Sequence, residues 1–361
     1  MRMTDAVDRH RLKGRGALSN PPGRFERSTR EGYDDGWYRE EAPDSVATWV
    51  QPDAARSVIT RNDSPDIPFE CSINPYRGCE HGCIYCYARP SHAYVGLSPG
   101  IDFETKLLYK ADAARLLEAE LAKPGYVCKP IMLGANTDPY QPVERRLGVT
   151  RGIIEVLARH RHPVAVITKS ALIARDIDLL ADLARDGLTA VMISLTTLDP
   201  DTKRTLEPRA ASPQARLRVM RELAAAGVPV GVMVAPVIPA VTDHELERIL
   251  EAAAEAGARS AGYVMLRLPY EVKALFREWL DAHHPDRARH VMSLVRSLRG
   301  GRDNDPRFGT RMRGEGPFAE LVRQRFRVAC RRLGLERRGA VALDTTRFRP
   351  PRPPTPQLDL L

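Results

Sequence analysis

Short apolar runs alternate with amphipathic segments through the middle of this chain. The apolar runs are rich in β-branched residues, as buried parallel strands are, and they lie at 69–74, 130–135, 163–168, 190–195, 228–236 and 261–268. Apolar residues at helical spacing predict helices between them, at 103–122, 150–160, 171–185, 212–226 and 243–256. Six βα units predict an α/β fold, either a partial barrel or an open doubly wound sheet. In both, the functional site lies at the carboxyl ends of the strands.

The regions on either side of this repeat have a different character. Residues 1–65 mix Gly, Pro and charge without a sustained period, which predicts an extended basic arm that wraps the body. Residues 66–270 contain the βα repeat and form the core. An Arg-rich, mostly helical extension follows at 271–340, and the Pro-rich tail at 341–361 is expected to be extended or disordered.

Composition places the chain among soluble enzymes. It has 361 residues, of which 43% are hydrophobic and 28% charged. No apolar run reaches the roughly eighteen residues of a membrane span, and the first thirty residues lack the apolar segment of a signal peptide. We therefore expect a cytoplasmic protein without a membrane partner. Thiols are reduced in that compartment, so the six cysteines indicate a metal site or catalysis before disulfides.

The positive charge is unevenly distributed. The net charge is +9, and the excess lies in residues 1–30 and 299–338. Such flanks are suited to binding the phosphates of nucleic acid. Solvated surface arginine is the alternative interpretation, and the sequence leaves both open.

Three cysteines stand close together after the first predicted strand. Cys79, Cys83 and Cys86 have the spacing C-x3-C-x2-C. Their thiolates suit zinc or an iron–sulfur cluster. Three ligands on one loop can cap three corners of a [4Fe–4S] cubane and leave the fourth iron open for S-adenosylmethionine (SAM). Reductive cleavage of SAM there releases a 5′-deoxyadenosyl radical.

A tetrahedral zinc site is the competing interpretation. Cys71 or His81 would then supply the fourth ligand, and the protein would be a non-catalytic, zinc-stabilised nucleic-acid-binding module. Otherwise Cys71, Cys128 and Cys330 are expected to be small apolar packing residues.

The cysteine motif, with Tyr85 before the third cysteine, resembles the signature of the radical SAM superfamily. The longer string INPYRGCEHGCIYCYARP at 73–90 resembles the spore photoproduct lyase-like branch, which includes uncharacterised bacterial members. The resemblance spans about residues 69–268. It implies a partial (βα)6 TIM-like barrel, a [4Fe–4S] cluster, SAM and a reducing electron donor such as flavodoxin or ferredoxin. The oligomeric state is not indicated.

The ends of the second and third strands carry candidate SAM ligands. Asn136, Thr137 and Asp138 follow the second strand, whose end contacts the SAM amino group in the superfamily. Turn formation explains the same residues equally simply. Lys169 follows the third strand, and the resemblance implies that it pairs with the SAM carboxylate.

The fourth strand ends in hydroxyl-bearing residues. Ser194 and Thr196 lie on one face by strand alternation, where they can bond the ribose or carboxylate of SAM or else cap the next turn. Glu207 and Arg209, in the following loop on the active-site side, are interpreted as structural ion-pairing residues, with substrate binding as the alternative.

Two tyrosines flank Cys86. Tyr85 is assigned to cofactor binding, by packing over the cluster, and Tyr87 is the catalytic candidate. In photoproduct lyases, tyrosines at these positions are assigned to hydrogen-atom return. Those lyases also carry a hydrogen-donating cysteine just after the second strand, but GANTDPYQPVE contains none and Cys128 precedes that strand. Thymine-dimer repair by that route is therefore not expected.

Overall fold

A computed structural model of the chain describes residues 12–26, 45–337 and 342–351. The strands within it are β1 (Trp49–Pro52), β2 (Ile59–Arg61), β3 (Cys71–Ile73), β4 (Tyr76–Arg77), β5 (Lys106–Tyr109), β6 (Ile131–Leu133), β7 (Val164–Thr168), β8 (Thr189–Ser194), β9 (Val230–Val237), β10 (Ser260–Met265) and β11 (Glu336–Arg337). The α-helices are α1 (Asp102–Thr105), α2 (Ala113–Leu121), α3 (Glu144–Leu147), α4 (Val149–Arg159), α5 (Ile177–Arg185), α6 (Pro200–Leu206), α7 (Pro213–Ala225), α8 (Leu246–Glu255), α9 (Val272–His283), α10 (Ala288–Ser297) and α11 (Gly316–Leu333).

The main sheet is built from parallel strands that are neighbours in chain order. Its order is β11-β10-β9-β8-β7-β6-β3-β2, and the pairs from β3 to β10 are all parallel. β2 pairs antiparallel with β3 at one edge. Helices such as α4, α5, α7 and α8 connect the parallel strands and bury their apolar faces against them. The α/β fold with a partial (βα)6 barrel is thus confirmed, and each predicted strand overlaps an observed one.

The two ends of α7 show how local sequence sets the bounds of a helix. The side chain of Ser212 caps α7 by accepting a hydrogen bond from the Ala215 N–H at 3.2 Å. The same helix ends before Gly227, whose φ of +78° is the left-handed conformation that glycine adopts without steric cost.

The predicted helix at 103–122 is divided by a strand. β5 lies between α1 and α2, and it joins β1 and β4 in a three-stranded sheet of order β1-β5-β4. Leu107 is buried there against Tyr76 and Val143. The local pattern of apolar residues fits a helix as well as a strand, so pairing with distant residues decides the outcome.

The flanking regions pack on the barrel where they are described. In the arm, the N–H groups of Gly16 and Ala17 donate to Glu104 of α1, and the Asn20 amide donates to Asp102 of the same helix. In the extension, Arg325 of α11 binds Glu247 of α8 at 2.6 Å. In the tail, the Phe348 ring packs at an angle against the rings of Tyr126 and His162. The remaining parts of the predicted arm, extension and tail lie outside the described residues, at 1–11, 27–44, 338–341 and 352–361.

A buried arginine joins the last barrel strand to the C-terminal extension. Arg299 is 1% exposed. Its guanidinium donates to the carbonyl of Leu266, just after β10, at 2.6 Å. It also donates to the carbonyls of Thr310 and Arg311 at 3.1 and 2.9 Å. One side chain therefore fixes two segments that meet at the carboxyl end of the barrel.

Arg299→Met is expected to lower the free energy of unfolding by about 3 kcal/mol, because buried carbonyls lose their donors. Arg296→Met is the matched control, since Arg296 is half exposed and its ion pair with Asp303 lies at the surface. It should cost less than about 1 kcal/mol. Denaturant unfolding followed by circular dichroism measures both. Equal losses would show that the Arg299 contacts do not stabilise the joint.

Candidate active site

A cavity of about 490 Å³ opens at the carboxyl ends of the parallel strands. Its size is ordinary for a small-molecule site. Its walls come from the loop between β4 and α1, from the ends of β6 to β10, and from segments near residues 62–69 and 311–312. The predicted site residues that line it are Cys79, Cys83, Tyr85, Cys86, Tyr87, Asn136, Asp138, Lys169 and Ser194.

The three predicted ligands lie on one loop, residues 78–89, which we call the cysteine loop. Arg89, at its end, is fully buried and holds the loop from inside. It donates to the Cys83 carbonyl at 2.9 Å and to the Gly100 carbonyl at 2.9 Å. A third contact, at 2.5 Å, is an ion pair with Glu104 of α1. Because this side chain satisfies backbone carbonyls on both sides, the loop has little freedom to move.

Gly82 lies at the tightest point of the cysteine loop. Its φ is +67°, and a Cβ there would stand 2.6 Å from Oε2 of Glu104. The same carboxylate accepts the N–H groups of Gly16 and Ala17, each at 2.9 Å. The arm, the cysteine loop and α1 therefore converge on one buried charge.

Burial favours the protonated form of the thiols in the cysteine loop. It raises the pKa of Cys83 to about 12, and it raises the pKa of Cys79 and Cys86 as well. Metal ligation requires thiolates, so a bound metal centre would supply the charge that deprotonates them. A buried set of soft donors fits a [4Fe–4S] cluster.

The fourth ligand that zinc would need is not supplied by Cys71. This residue is buried in the main core at the start of β3 and does not line the cavity. In the described part of the chain, no three His, Cys, Asp and Glu side chains surround a single ion position. A cubane differs in this respect, because its three cysteines bind three separate irons and need not surround a single ion position.

Asp138 connects the cysteine loop to the end of β7. Its carboxylate accepts from the Thr168 hydroxyl and from the Lys169 N–H, each at 2.7 Å, and lies 3.4 Å from Nδ1 of His81. Burial alone would raise the pKa of Asp138, but the charge of His81 and these hydrogen bonds hold it at about 2. The other ring nitrogen of His81, Nε2, is buried on the cavity wall and has no partner among the described residues.

Lys169 presents a cation to the cavity. Its ammonium lies 5.8 Å from the centre of the Tyr85 ring. Within the residues that the structure describes, it forms no salt bridge to a carboxylate. Its position at a strand end therefore suits the carboxylate of a bound small molecule.

A second buried carboxylate fixes Tyr85. Glu207 accepts from the Tyr85 hydroxyl, from the Arg216 guanidinium and, at 2.7 Å, from the Thr196 hydroxyl. Arg216 in turn donates to the Ser194 carbonyl at 2.9 Å. Burial alone would raise the pKa of Glu207, but the charges of Arg216 and Lys169 lower it to about 2. The structural ion pair expected of Glu207 is therefore present, with Arg216 as its partner.

Two of the expected SAM ligands lie outside the cavity lining. The Thr137 hydroxyl donates to the Tyr76 carbonyl at 2.7 Å, and Thr196 is bonded to Glu207 and to the Ala235 carbonyl. Both residues are buried. Their hydroxyls stabilise turns and strand ends, which was the alternative open from the sequence.

Sequence reasoning did not identify the residues at the cavity mouth. Arg267, Arg311 and Phe69 line it together with Tyr87, which is 48% exposed. The guanidinium of Arg267 lies 5.7 Å from the centre of the Tyr87 ring. A signal for Arg267 was present, because it is a lone charge inside the apolar run AGYVMLRL.

Comparison with known proteins identifies the class. The family model of the radical SAM superfamily matches residues 73–253. The chain belongs to this superfamily: it is a radical SAM enzyme whose cofactors are a [4Fe–4S] cluster and SAM. Membership overturns the alternative of a non-catalytic zinc module. Within the described residues, no helix has the length and apolar character needed to cross a membrane.

Two relatives resemble this chain in sequence, and a solved structure resembles it in fold. An uncharacterised protein of Mycobacterium tuberculosis is 39% identical over 232 residues, which cover 64% of this chain and 68% of that protein. A radical SAM Nα-GlyT isomerase of Pseudomonas phage M6 is 23% identical over 228 residues, which cover 62% of this chain and 42% of the isomerase. Spore photoproduct lyase complexed with a dinucleoside spore photoproduct has a similar fold, with a TM-score of 0.56, 16% identity and 80% of each chain covered.

Glu207→Gln is expected to destabilise the protein in a pH-dependent way. The pKa of Glu207 is about 2 when folded, against an ordinary 4.5, so its contribution is complete above about pH 4.5 and disappears as the pH falls toward 2. Near pH 7 the variant should lose about 3 kcal/mol. Urea unfolding of both proteins across this range measures the difference. For Glu222→Gln, which removes an exposed pair with Arg218, the loss should be small at every pH.

Proposed function

We propose that Cys79, Cys83 and Cys86 hold the [4Fe–4S] cluster and leave one iron open for SAM. When bound, the two cofactors supply reductive cleavage of SAM to a 5′-deoxyadenosyl radical, which abstracts hydrogen from a substrate. The observation that carries the proposal is that the three cysteines line the same cavity as the ammonium of Lys169. A small reduced electron-transfer protein such as flavodoxin or ferredoxin is the proposed donor.

The strand ends are suited to orient SAM. In this proposal Lys169 pairs with its carboxylate, and the side chains of Asn136 and Ser194 lie on the same cavity wall to bond its amino and ribose groups. Asp138 is already saturated by hydrogen bonds, so it acts by holding the cysteine loop against β7. Apolar side chains such as Met132 line the rest of this wall and exclude water.

Tyr87 is the proposed catalytic residue on the substrate side. It is exposed at the cavity mouth, and its hydroxyl donates to the Ala135 carbonyl after β6. That hydrogen bond sets the position of the phenolic oxygen, from which a hydrogen atom can be returned to the substrate. The loop after β6 contains no cysteine, and Cys128 precedes that strand, so a thiol donor is not proposed.

Nucleic acid is the proposed substrate class. The chain has a net charge of +9, and two arginines, Arg267 and Arg311, line the cavity beside Tyr87. The phage relative is named an Nα-GlyT isomerase, and a solved lyase of similar fold carries a dinucleoside. These names belong to those proteins; the positive cavity mouth of this chain supports the same class of substrate.

Cys83→Ala is expected to abolish the cluster, because two thiolates cannot retain a cubane. After anaerobic reconstitution, iron and sulfide content, the EPR signal of the reduced protein and 5′-deoxyadenosine formation should fall to background. Cys128→Ala is the control, since this half-buried cysteine lies outside the cavity lining. Absence of both cluster and SAM cleavage from well-folded wild-type protein would refute the proposal.

Binding to a single-stranded oligodeoxynucleotide is expected to weaken as salt is added. With about two or three phosphate contacts, affinity should fall on the order of tenfold between about 50 and about 200 mM salt, because counterions are released on binding. Filter binding of the reconstituted enzyme measures the slope. No binding at low salt, or a slope of zero, would exclude nucleic acid as the substrate class while leaving the cluster and SAM chemistry intact.

A further inference from the structure

Arg267 lies on the cavity wall, and no oxygen atom of the described residues accepts a hydrogen bond from its guanidinium. Its Nε is buried and has no hydrogen-bond partner among the described residues. One terminal nitrogen reaches the Met312 sulfur at 3.5 Å, and a thioether is a weak acceptor. A half-buried cation without acceptors is costly, so a bound anion would recover free energy at this point.

The backbone on either side of Arg267 is fixed. The Leu266 N–H donates to the Val237 carbonyl at 3.0 Å, and the Leu268 N–H donates to Asn304 at 3.2 Å. The Leu266 carbonyl accepts a hydrogen bond from the guanidinium of Arg299. A rigid support of this kind is what a binding residue needs in order to hold a ligand in one geometry.

The other charges of the cavity are already used. Arg311 pairs with Asp66 at 2.5 Å and with Ser64 at 2.5 Å. The carboxylate of Asp138, the acidic residue in the cavity lining, is saturated. Lys169, whose ammonium lies near the Tyr85 ring, is the proposed partner of SAM. Arg267 therefore remains as the cation for a second anion, one that belongs to the substrate.

The surroundings of Arg267 favour a phosphate attached to a nucleobase. Tyr87 presents its ring 5.7 Å away, and Phe69, Ile67 and Met312 line the same mouth. Aromatic and apolar faces beside an arginine suit a stacked base, and the planar guanidinium matches phosphate oxygens in a two-point contact.

The geometry points to Arg267 as the residue that binds a phosphodiester group of the substrate strand, next to the nucleotide that enters the cavity. This inference rests on the proposed nucleic acid substrate and adds to it the residue and the chemical group that set the strand's position. Arg267 would act as a binding residue, and no bond to it forms or breaks.

The test combines Arg267→Gln with oligodeoxynucleotides in which one linkage at a time is a neutral methylphosphonate. Fluorescence anisotropy with the anaerobically reconstituted enzyme gives each Kd. The variant should bind the unmodified strand roughly 10- to 100-fold more weakly, as expected for a lost charge-assisted hydrogen bond. In the wild type, neutralising one particular linkage should raise the Kd. In Arg267→Gln, neutralising the same linkage should leave the Kd unchanged.

Two further variants control for charge and folding. Arg185→Gln removes an equally charged but exposed side chain at the end of α5, before β8 begins and therefore away from the cavity. In Arg185→Gln, neutralising the sensitive linkage should raise the Kd as much as it does in the wild type. Arg267→Lys should bind with intermediate affinity and retain that linkage, which a misfolded variant would not do.

The outcomes separate this inference from the proposed function. If the wild type binds DNA while Arg267→Gln binds equally well, or if every linkage costs the same in both proteins, the role of Arg267 is refuted and the substrate class stands. If the wild type binds no oligonucleotide, both the inference and the nucleic acid substrate fail. SAM cleavage is measured separately and decides the radical chemistry alone.

Discussion

The buried carboxylate of Glu104 is the point on which the cysteine loop depends. A fully buried charge is tolerated only when it is paired and hydrogen-bonded, and here Arg89 and the N–H groups of Gly16 and Ala17 meet that requirement. The arrangement is tight enough that a Cβ on Gly16 would stand 1.9 Å from the Gly82 carbonyl. The position of the three cysteines thus follows from one ion pair and from the close approach of the Gly16 and Gly82 backbones.

The site separates charges that serve the fold from charges that face the cavity. Asp138 and Glu207 are both saturated by protein donors, which keeps the pKa of each near 2 and holds the cysteine loop against β7 and β8. Lys169 and Arg267 form no salt bridge to a carboxylate in the described part of the chain, and both line the cavity. The result is a cavity lined by two such cations, for which the proposed partners are SAM at Lys169 and the substrate at Arg267.

The sequence predicted features that short stretches determine by themselves. Strands such as 163–168 are continuous β-branched runs, and the cysteine spacing is local, so both could be recognised without a structure. The strand β5 could not, because its pairing with β1 joins residues far apart in sequence. Thr137 and Thr196 were placed at strand ends correctly, but their partners, the Tyr76 carbonyl and Glu207, are brought to them only by the fold. Arg267 likewise lies inside the predicted strand 261–268, whereas the observed strand β10 ends at Met265.

The C-terminal extension contributes to the site. Arg311 of the extension binds Asp66 at the start of the core, and the other oxygen of Asp66 accepts the Gly309 N–H at 2.7 Å, so the extension meets the core beside the cavity. The barrel carries the cysteine loop, whose motif the superfamily shares. Phe69, Arg267 and Met312, close to this junction, line the cavity and are available to contact a substrate. Phe69 precedes β3 and Arg267 follows β10, so the contacts proposed for the substrate come from segments that flank the parallel strands and not from the strands themselves.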